Sequence, residues 1–175
     1  LCLTFLVMAA VLEFDSIHEE DLGLVTELEA GSYPADEAAT PERLRYRQRN
    51  APEFFMGAWA SGPDQKERRL VGFICSTLVR GEHLTEESMA LHDASGVTLC
   101  IHSVVVDASM RRKGIGTKMT VEYIRRMSAP PLRDKVEVIR LIAKKHLLHF
   151  YQSCGFTLLG PSDVVHGADT WYDMA

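Results

Sequence analysis

The sequence predicts a mixed α/β sheet with helices on both faces, and three observations lead there. The first half is rich in strand-like runs divided by turn residues, and the second half reads strand, helix, strand, helix, strand. The chain has 175 residues, which suits one ordinary domain able to bury about 70% of its unfolded surface without metal or disulfides. Apolar residues make up 46% and charged residues 25%, which argues against disorder, collagen-like repeats and coiled coil.

Taken in order, residues 10–17 read as a strand. Residues 19–30 read as an amphipathic helix with Leu22, Leu24, Val25 and Leu28 on its apolar side, stopped by Gly31-Ser32-Tyr33-Pro34. Pro41 opens a second helix to about residue 49, at the position where proline fits a helix start. Residues 53–60 and 70–79 are strands, joined by the turn Ser61-Gly62-Pro63-Asp64. Residues 80–97 are polar and loop-like. Residues 98–106 form a Val-rich strand, and 114–127 a helix with Ile115, Met119, Tyr123 and Met127 on every fourth residue. Pro130-Pro131 breaks the chain. Strand 136–143, helix 146–153 and strands 156–159 and 171–174 complete it.

Charge is divided along the chain. Residues 1–42 hold ten acids and no Lys or Arg; residues 43–175 hold all 19 bases and 14 acids. The split is −10 followed by +5, against a whole-chain charge of −5. A simple nucleic-acid binder would want a continuous basic face, so nucleic acid is not expected as a partner. The bland alternative is a solvated acidic surface.

Cysteines stand at 2, 75, 100 and 154 with no CxxC spacing and no Cys/His cluster of zinc type. Free buried thiols, no metal and a cytoplasmic location are the expectation. The opening LCLTFLVMAAVL is too short to span a bilayer and lacks a basic signal-peptide start, so no membrane association is expected. The chain starts with Leu, and Met8 reads as a start. Residues 1–7 are then a non-native or upstream segment before a single domain over 8–175, a monomer or weak dimer.

The chemistry concentrates in residues 98–119. After the strand, Arg111-Arg112-Lys113-Gly114-Ile115-Gly116-Thr117 leads into a helix. Glycines let the backbone turn and approach a ligand, and N–H groups at the helix start face an anion. The loop is neither GxGxxG, since Met119 stands at the third glycine position, nor a Walker loop. Phosphate binding and an ordinary basic turn both remain open from the local pattern.

The R-x-x-G-x-G after a Val-rich strand resembles the acetyl-CoA-binding motif of the GNAT N-acetyltransferase superfamily. Leu70-Val71-Gly72-Phe73-Ile74, the run from Glu82 to His92, Phe150-Tyr151-Gln152, Gly155-Phe156 and Gly160-Pro161 resemble the serotonin (arylalkylamine) N-acetyltransferases. The resemblance covers about residue 12 to the C-terminus. It implies a mixed, mostly antiparallel sheet, splayed at its middle and flanked by helices, with acetyl-CoA as co-substrate in the splay. Val104, Val105 and Val106 would pair with the pantetheine arm. Arg112, Lys113, Gly114, Ile115, Gly116 and Thr117 would bind the pyrophosphate, and Arg111 begins the motif in a role that can be structural.

An amine must shed a proton before it attacks a thioester, and histidine is the usual base near neutrality. A regular period of two would set Thr98, Cys100, His102, Val104 and Val106 on one face. The resembled family has histidines at the positions of Cys100 and His102, so His102 alone, through water, is the expected base. A histidine satisfied within a sheet is the alternative. Tyr151 matches the family's general acid for the departing thiolate, and backbone N–H groups near Val104 are candidate oxyanion donors. Tyr33, Pro34 and Cys100 are the candidate amine-site residues, with Phe54, Phe55, Met56 and Trp59 as further walls or core.

The expected reaction is direct acetyl transfer to a small primary amine, of arylalkylamine type. Alternatives are a polyamine or protein N-terminus or lysine as acceptor, Cys100 as an acyl-carrying nucleophile, and a non-catalytic acyl-CoA-binding domain. The charge split then suggests two oppositely charged mouths, a basic one for CoA and an acidic one for cationic amines.

Overall fold

The computed structural model describes residues 11–62 and 68–175. The reading of residues 1–7, Cys2 and the turn residues Pro63 and Asp64 lie outside the described residues. Seven strands form one sheet: β1 (Val11–Ser16), β2 (Phe55–Ser61), β3 (Arg68–Val79), β4 (Thr98–Val106), β5 (Val138–Lys144), β6 (Leu158–Pro161) and β7 (Trp171–Met174), in the order β1-β2-β3-β4-β5-β7-β6. Every pairing is antiparallel except β4 with β5. The helices are α1 (Leu22–Ala30), α2 (Pro41–Asn50), α3 (Glu86–Ala90), α4 (Ile115–Met127) and α5 (Leu148–Ser153).

The parallel contact is short. It runs from Thr98↔Val138 to Ile101↔Leu141 and stops, while β5 turns its continuation, Leu141 to Lys144, toward β7. From His102 to Val106 the β5-facing edge of β4 therefore has no strand beside it, and the sheet is splayed there as expected. Unpaired backbone groups next to a cleft are a ready-made edge for an extended ligand.

A bulge changes the alternation that the sequence predicts. Cys75 pairs with Ser103, but the next β3 residue, Ser76, pairs with Ile101, which makes His102 the extra residue of β4. Leu99, Ile101, Val104 and Val106 pack with the main core. Cys100 and Val105 pack in clusters on the other face, where His102 bonds Thr77 and Ser103 bonds Glu29. His102 does point the same way as Cys100. Val104 and Val106 point the opposite way, which corrects the single-face reading.

Helices cover both faces. On one, Ile115, Met119, Tyr123 and Met127 of α4 and Tyr151 of α5 join Phe54, Val71, Ile74 and Leu99. The every-fourth-residue spacing of α4 is the stripe that a helix of 3.6 residues per turn presents to a sheet. On the other, Leu22 and Val25 of α1 and Leu44 of α2 pack on Phe55, Phe73, Cys75 and Val105. Leu24, expected on the apolar side of α1, is 47% exposed. Glu29 is buried in its stead, at 2%. Thr40 caps α2 by accepting from the Arg43 N–H at 3.3 Å, one residue before Pro41. The segment read as loop at 80–97 contains α3, a helix of five residues, too short to show a period.

Candidate active site

The splay opens onto a cavity of about 160 Å³, lined by Ile101, His102, Val104, Tyr33, Leu141 and Tyr151 among others. A second cavity of about 570 Å³ adjoins it, lined by Arg43 and Arg47 of α2, Met89 of α3, Val164, and the shared residues Glu29 and His102. β4, α1, α2 and the β6–β7 connection thus converge on one place, although they are far apart in the chain.

At the far end of β4 the chain turns through Asp107 to Gly114 into α4. Arg112 has φ 63° and Gly114 φ 76°, both left-handed, so the loop folds back sharply before the helix begins. The first N–H groups of α4 have no intrahelical acceptor, and Arg112, Lys113 and Lys118 stand exposed around them. Gly116 packs beside Phe150 and Val106, where a Cβ would make ordinary van der Waals contact at 3.4 and 3.6 Å. Arg111 is turned away from this anion-ready surface. Its Nε donates to the Val106 carbonyl at 2.9 Å and its Nη2 to Ser32 Oγ at 3.1 Å, so it ties the end of β4 to the chain after α1. Lys113 Nζ donates to the Ser109 carbonyl at 3.1 Å.

His102 lies partly buried at the bulge. Its Nε2 is 2.7 Å from Thr77 Oγ1 and its Nδ1 is 3.7 Å from Cys100 Sγ. Burial, and then the charges of Arg47 and Arg43, hold its pKa well below the ordinary 6.5. It is a neutral imidazole with both nitrogens engaged by neighbours. Cys100 lines neither cavity. It is fully buried among Val79, Leu84, Ile142, Val164 and Trp171. Burial pushes its thiol up to about 12. That removes it from contact with a substrate and leaves it a poor nucleophile, against the expectation that it lines the amine site.

Tyr151 is buried with its ring edge-on to Phe150 and Phe156, at centroid distances of 4.9 and 5.8 Å. Desolvation raises its pKa above the ordinary 10.0, so the hydroxyl stays protonated. Phe150, read as the core aromatic of the pair, is the more exposed of the two. Tyr33 reaches β4: its hydroxyl accepts from the Val104 N–H at 3.4 Å, the backbone donor singled out for an oxyanion. Pro34 is exposed at the cavity rim. Phe54, Phe55, Met56 and Trp59 are core, each at most 7% exposed.

Glu29 is the residue that sequence reasoning missed. It sits on α1 with Oε1 accepting from the Ala39 N–H at 2.9 Å and from Ser103 Oγ at 3.2 Å. Its Oε2 is buried with no partner. Desolvation raises its pKa above 4.5 despite these bonds and the nearby Arg47. The available signal was its place in the helix: Glu29 lies four residues after Val25 and seven after Leu22, on the stripe that buries. Among the described residues no His, Cys, Asp and Glu cluster could hold a metal, and no helix is long and apolar enough to cross a membrane.

A split sheet beside a left-handed turn and a basic helix start defines a domain able to hold an extended anionic ligand. The acetyltransferase (GNAT) family profile matches residues 22–156. The chain belongs to this family of acetyltransferases, and its sheet is the GNAT fold. Serotonin N-acetyltransferase of Mesocricetus auratus is 29% identical over 166 residues, 93% of this chain and 75% of the relative. Among solved structures, the GphF GNAT-like decarboxylase in complex with isobutyryl-CoA superposes with a TM-score of 0.78 at 17% identity, covering 93% of this chain and 97% of that one. Diaminobutyrate acetyltransferase EctA of Paenibacillus lautus, in complex with L-2,4-diaminobutyric acid and coenzyme A, gives 0.62 at 17% identity, over 95% of each chain.

Proposed function

We propose that this protein transfers the acetyl group of acetyl-CoA to the primary amine of a small molecule, by direct attack in a ternary complex. The carrying observation is the splay: β4 leaves β5 after Ile101, with Tyr151 and Val104 on one cavity and the turn at Gly114 beyond it. Family membership and the likeness to serotonin N-acetyltransferase support the reading and favour an amine on an alkyl or arylalkyl stem.

In this reading the backbone of Val104, Val105 and Val106 pairs with the pantetheine arm, and the N–H groups from Arg112 to Thr117 receive the pyrophosphate. The amine nitrogen attacks the thioester carbonyl. The oxygen gains charge and is met by the Val104 N–H, once Tyr33 has yielded it. The C–S bond then breaks, and the thiolate takes a proton from Tyr151. The amine's own proton needs an acceptor. The two ring nitrogens of His102 face Thr77 and Cys100, so its N–H and its single free lone pair are both taken up by neighbours, whereas Glu29 Oε2 has no partner and burial raises the basicity of its carboxylate. Glu29 takes the proton, and His102 holds the bulge and the polarity of the site around it.

The test is thiol release from acetyl-CoA across a panel of arylalkylamines, polyamines and lysine peptides. Turnover of small amines supports the proposal, and Tyr151→Phe lowers kcat by about tenfold or more at neutral pH with little change in acetyl-CoA affinity. Acetyl-CoA binding with no release on any amine would replace it with a non-catalytic binding domain.

A further inference from the structure

Arg47 is 5% exposed, in the wall of the larger cavity. Its Nη1 donates to Cys75 Sγ at 3.6 Å, a weak acceptor, and it forms no ion pair with a carboxylate among the described residues. A guanidinium cannot discharge itself by losing a proton. An unpaired buried charge is costly, and such groups are normally paired or hydrogen-bonded. Arg43 lies one turn earlier on α2 and lines the same cavity, exposed at its mouth. Glu29 lines the same cavity, and its Oε2 is buried with no hydrogen-bond partner. Both signs of charge thus share one cavity, Arg43 and Arg47 with Glu29, Asp36, Glu37 and Glu86, and Arg47 and Glu29 form no ion pair with each other.

That arrangement matches a ligand that carries both charges. Resting on the acetyl-transfer reading, we infer that the acceptor bears a carboxylate as well as its amine, the carboxylate anchored by Arg47 with Arg43 and the ammonium facing Glu29. A guanidinium binds a carboxylate in a planar, two-point fashion, and the fixed ends would turn the amine toward the splay beside His102. Glu37 lines the same cavity; its Oε1 is engaged by Lys144 at 2.7 Å, its Oε2 has no hydrogen-bond partner, and it forms no ion pair with Arg47. The acceptor class is then amino acids or other amino-carboxylates, a narrower group than simple amines.

Three matched pairs test this on the unaltered protein: L-phenylalanine with 2-phenylethylamine, L-ornithine with putrescine, and 4-aminobutyrate with butylamine. The expected result is a kcat/KM at least about tenfold higher for the carboxylate member in one or more pairs, the size of one charge-assisted hydrogen bond. In Arg47→Gln that ratio falls below about threefold, and in Arg43→Gln by a smaller factor, mostly through KM. Members without the carboxylate that equal or exceed their partners in all three pairs would overturn the inference. Because a buried Arg47 can matter for folding, calorimetric binding of the same six compounds to the CoA-saturated wild type is read in parallel. Thiol release with none of the six, together with binding of the carboxylate members only, would keep the anchor and remove acetyl transfer. Binding that ignores the carboxylate would remove the anchor.

Discussion

At the residue scale, the site turns on which group accepts the amine's proton, and the two candidates move toward each other. Burial raises Glu29 from 4.5, and burial with two nearby arginines lowers His102 from 6.5. A base works only when unprotonated, so kcat/KM must fall as pH drops through its pKa. With Glu29 as the base, the expected acid limb lies above the ordinary carboxylate value. The variants separate the two. Glu29→Gln should remove the limb and lower kcat by about a hundredfold or more. His102→Gln should lower the rate less and keep the limb. The reverse pattern in pH–rate profiles would return the proton to His102. The same residues carry a stability consequence. His102 is neutral when folded, and the unfolded chain protonates below about 6.5. Its burial therefore costs stability progressively as pH falls below that value, in a stretch where His102→Gln should be flatter.

At the element scale, β4 does the positioning. It pairs fully with β3, pairs with β5 only to Ile101, and carries a one-residue bulge at the point of divergence. Gly72 makes the β3 side of this possible, since a Cβ there would lie 2.6 Å from the Val105 carbonyl oxygen, a backbone atom that cannot swing aside. Gly72→Ala should destabilise the fold by about 1–3 kcal/mol and shift the strand that lines the splay. Urea unfolding and acetyl-CoA titration would read the two effects; a stable variant with unchanged affinity would refute the argument. These elements were unequally legible. Strand β4, the stripe of α4 and the glycine turn are local patterns, and they appear in the structure close to where the residues indicate. The bulge is a matter of register between Cys75 and Ser103, and no local period encodes it. Glu29 reads as an ordinary helix acid until Ser103, 74 residues away, donates to it. The basic wall from α2 was hidden for the same reason, because only the folded chain brings Arg47 opposite Glu29. The strand near the splay was read with too simple an alternation, and α3 was shorter than any period could reveal.

At the scale of the whole molecule, part of the division of charge is resolved into ion pairs. Asp15 is matched by Arg68 at 3.0 Å, Glu19 by Arg49, and Glu37 by Lys144 at 2.7 Å, so acids of the first 42 residues are answered by bases from later in the chain. The larger cavity draws on both signs, Glu29, Asp36, Glu37 and Glu86 with Arg43 and Arg47, so two arginines stand within a lining that keeps an acidic excess. The basic side is different. Arg112, Lys113 and Lys118 are exposed around the α4 start and form no ion pair among the described residues. Exposed charges are screened within a Debye length of about 10 Å at 0.1 M salt, whereas contacts inside a cavity are screened much less. Raising ionic strength from about 0.05 to 0.5 M should therefore raise KM for acetyl-CoA several-fold. It should move KM for the acceptor less and leave kcat nearly constant. Initial-rate measurements at each salt concentration would show it. An acetyl-CoA KM indifferent to salt would mean that these three bases do not attract the co-substrate and that the backbone N–H groups of the turn hold the anion alone.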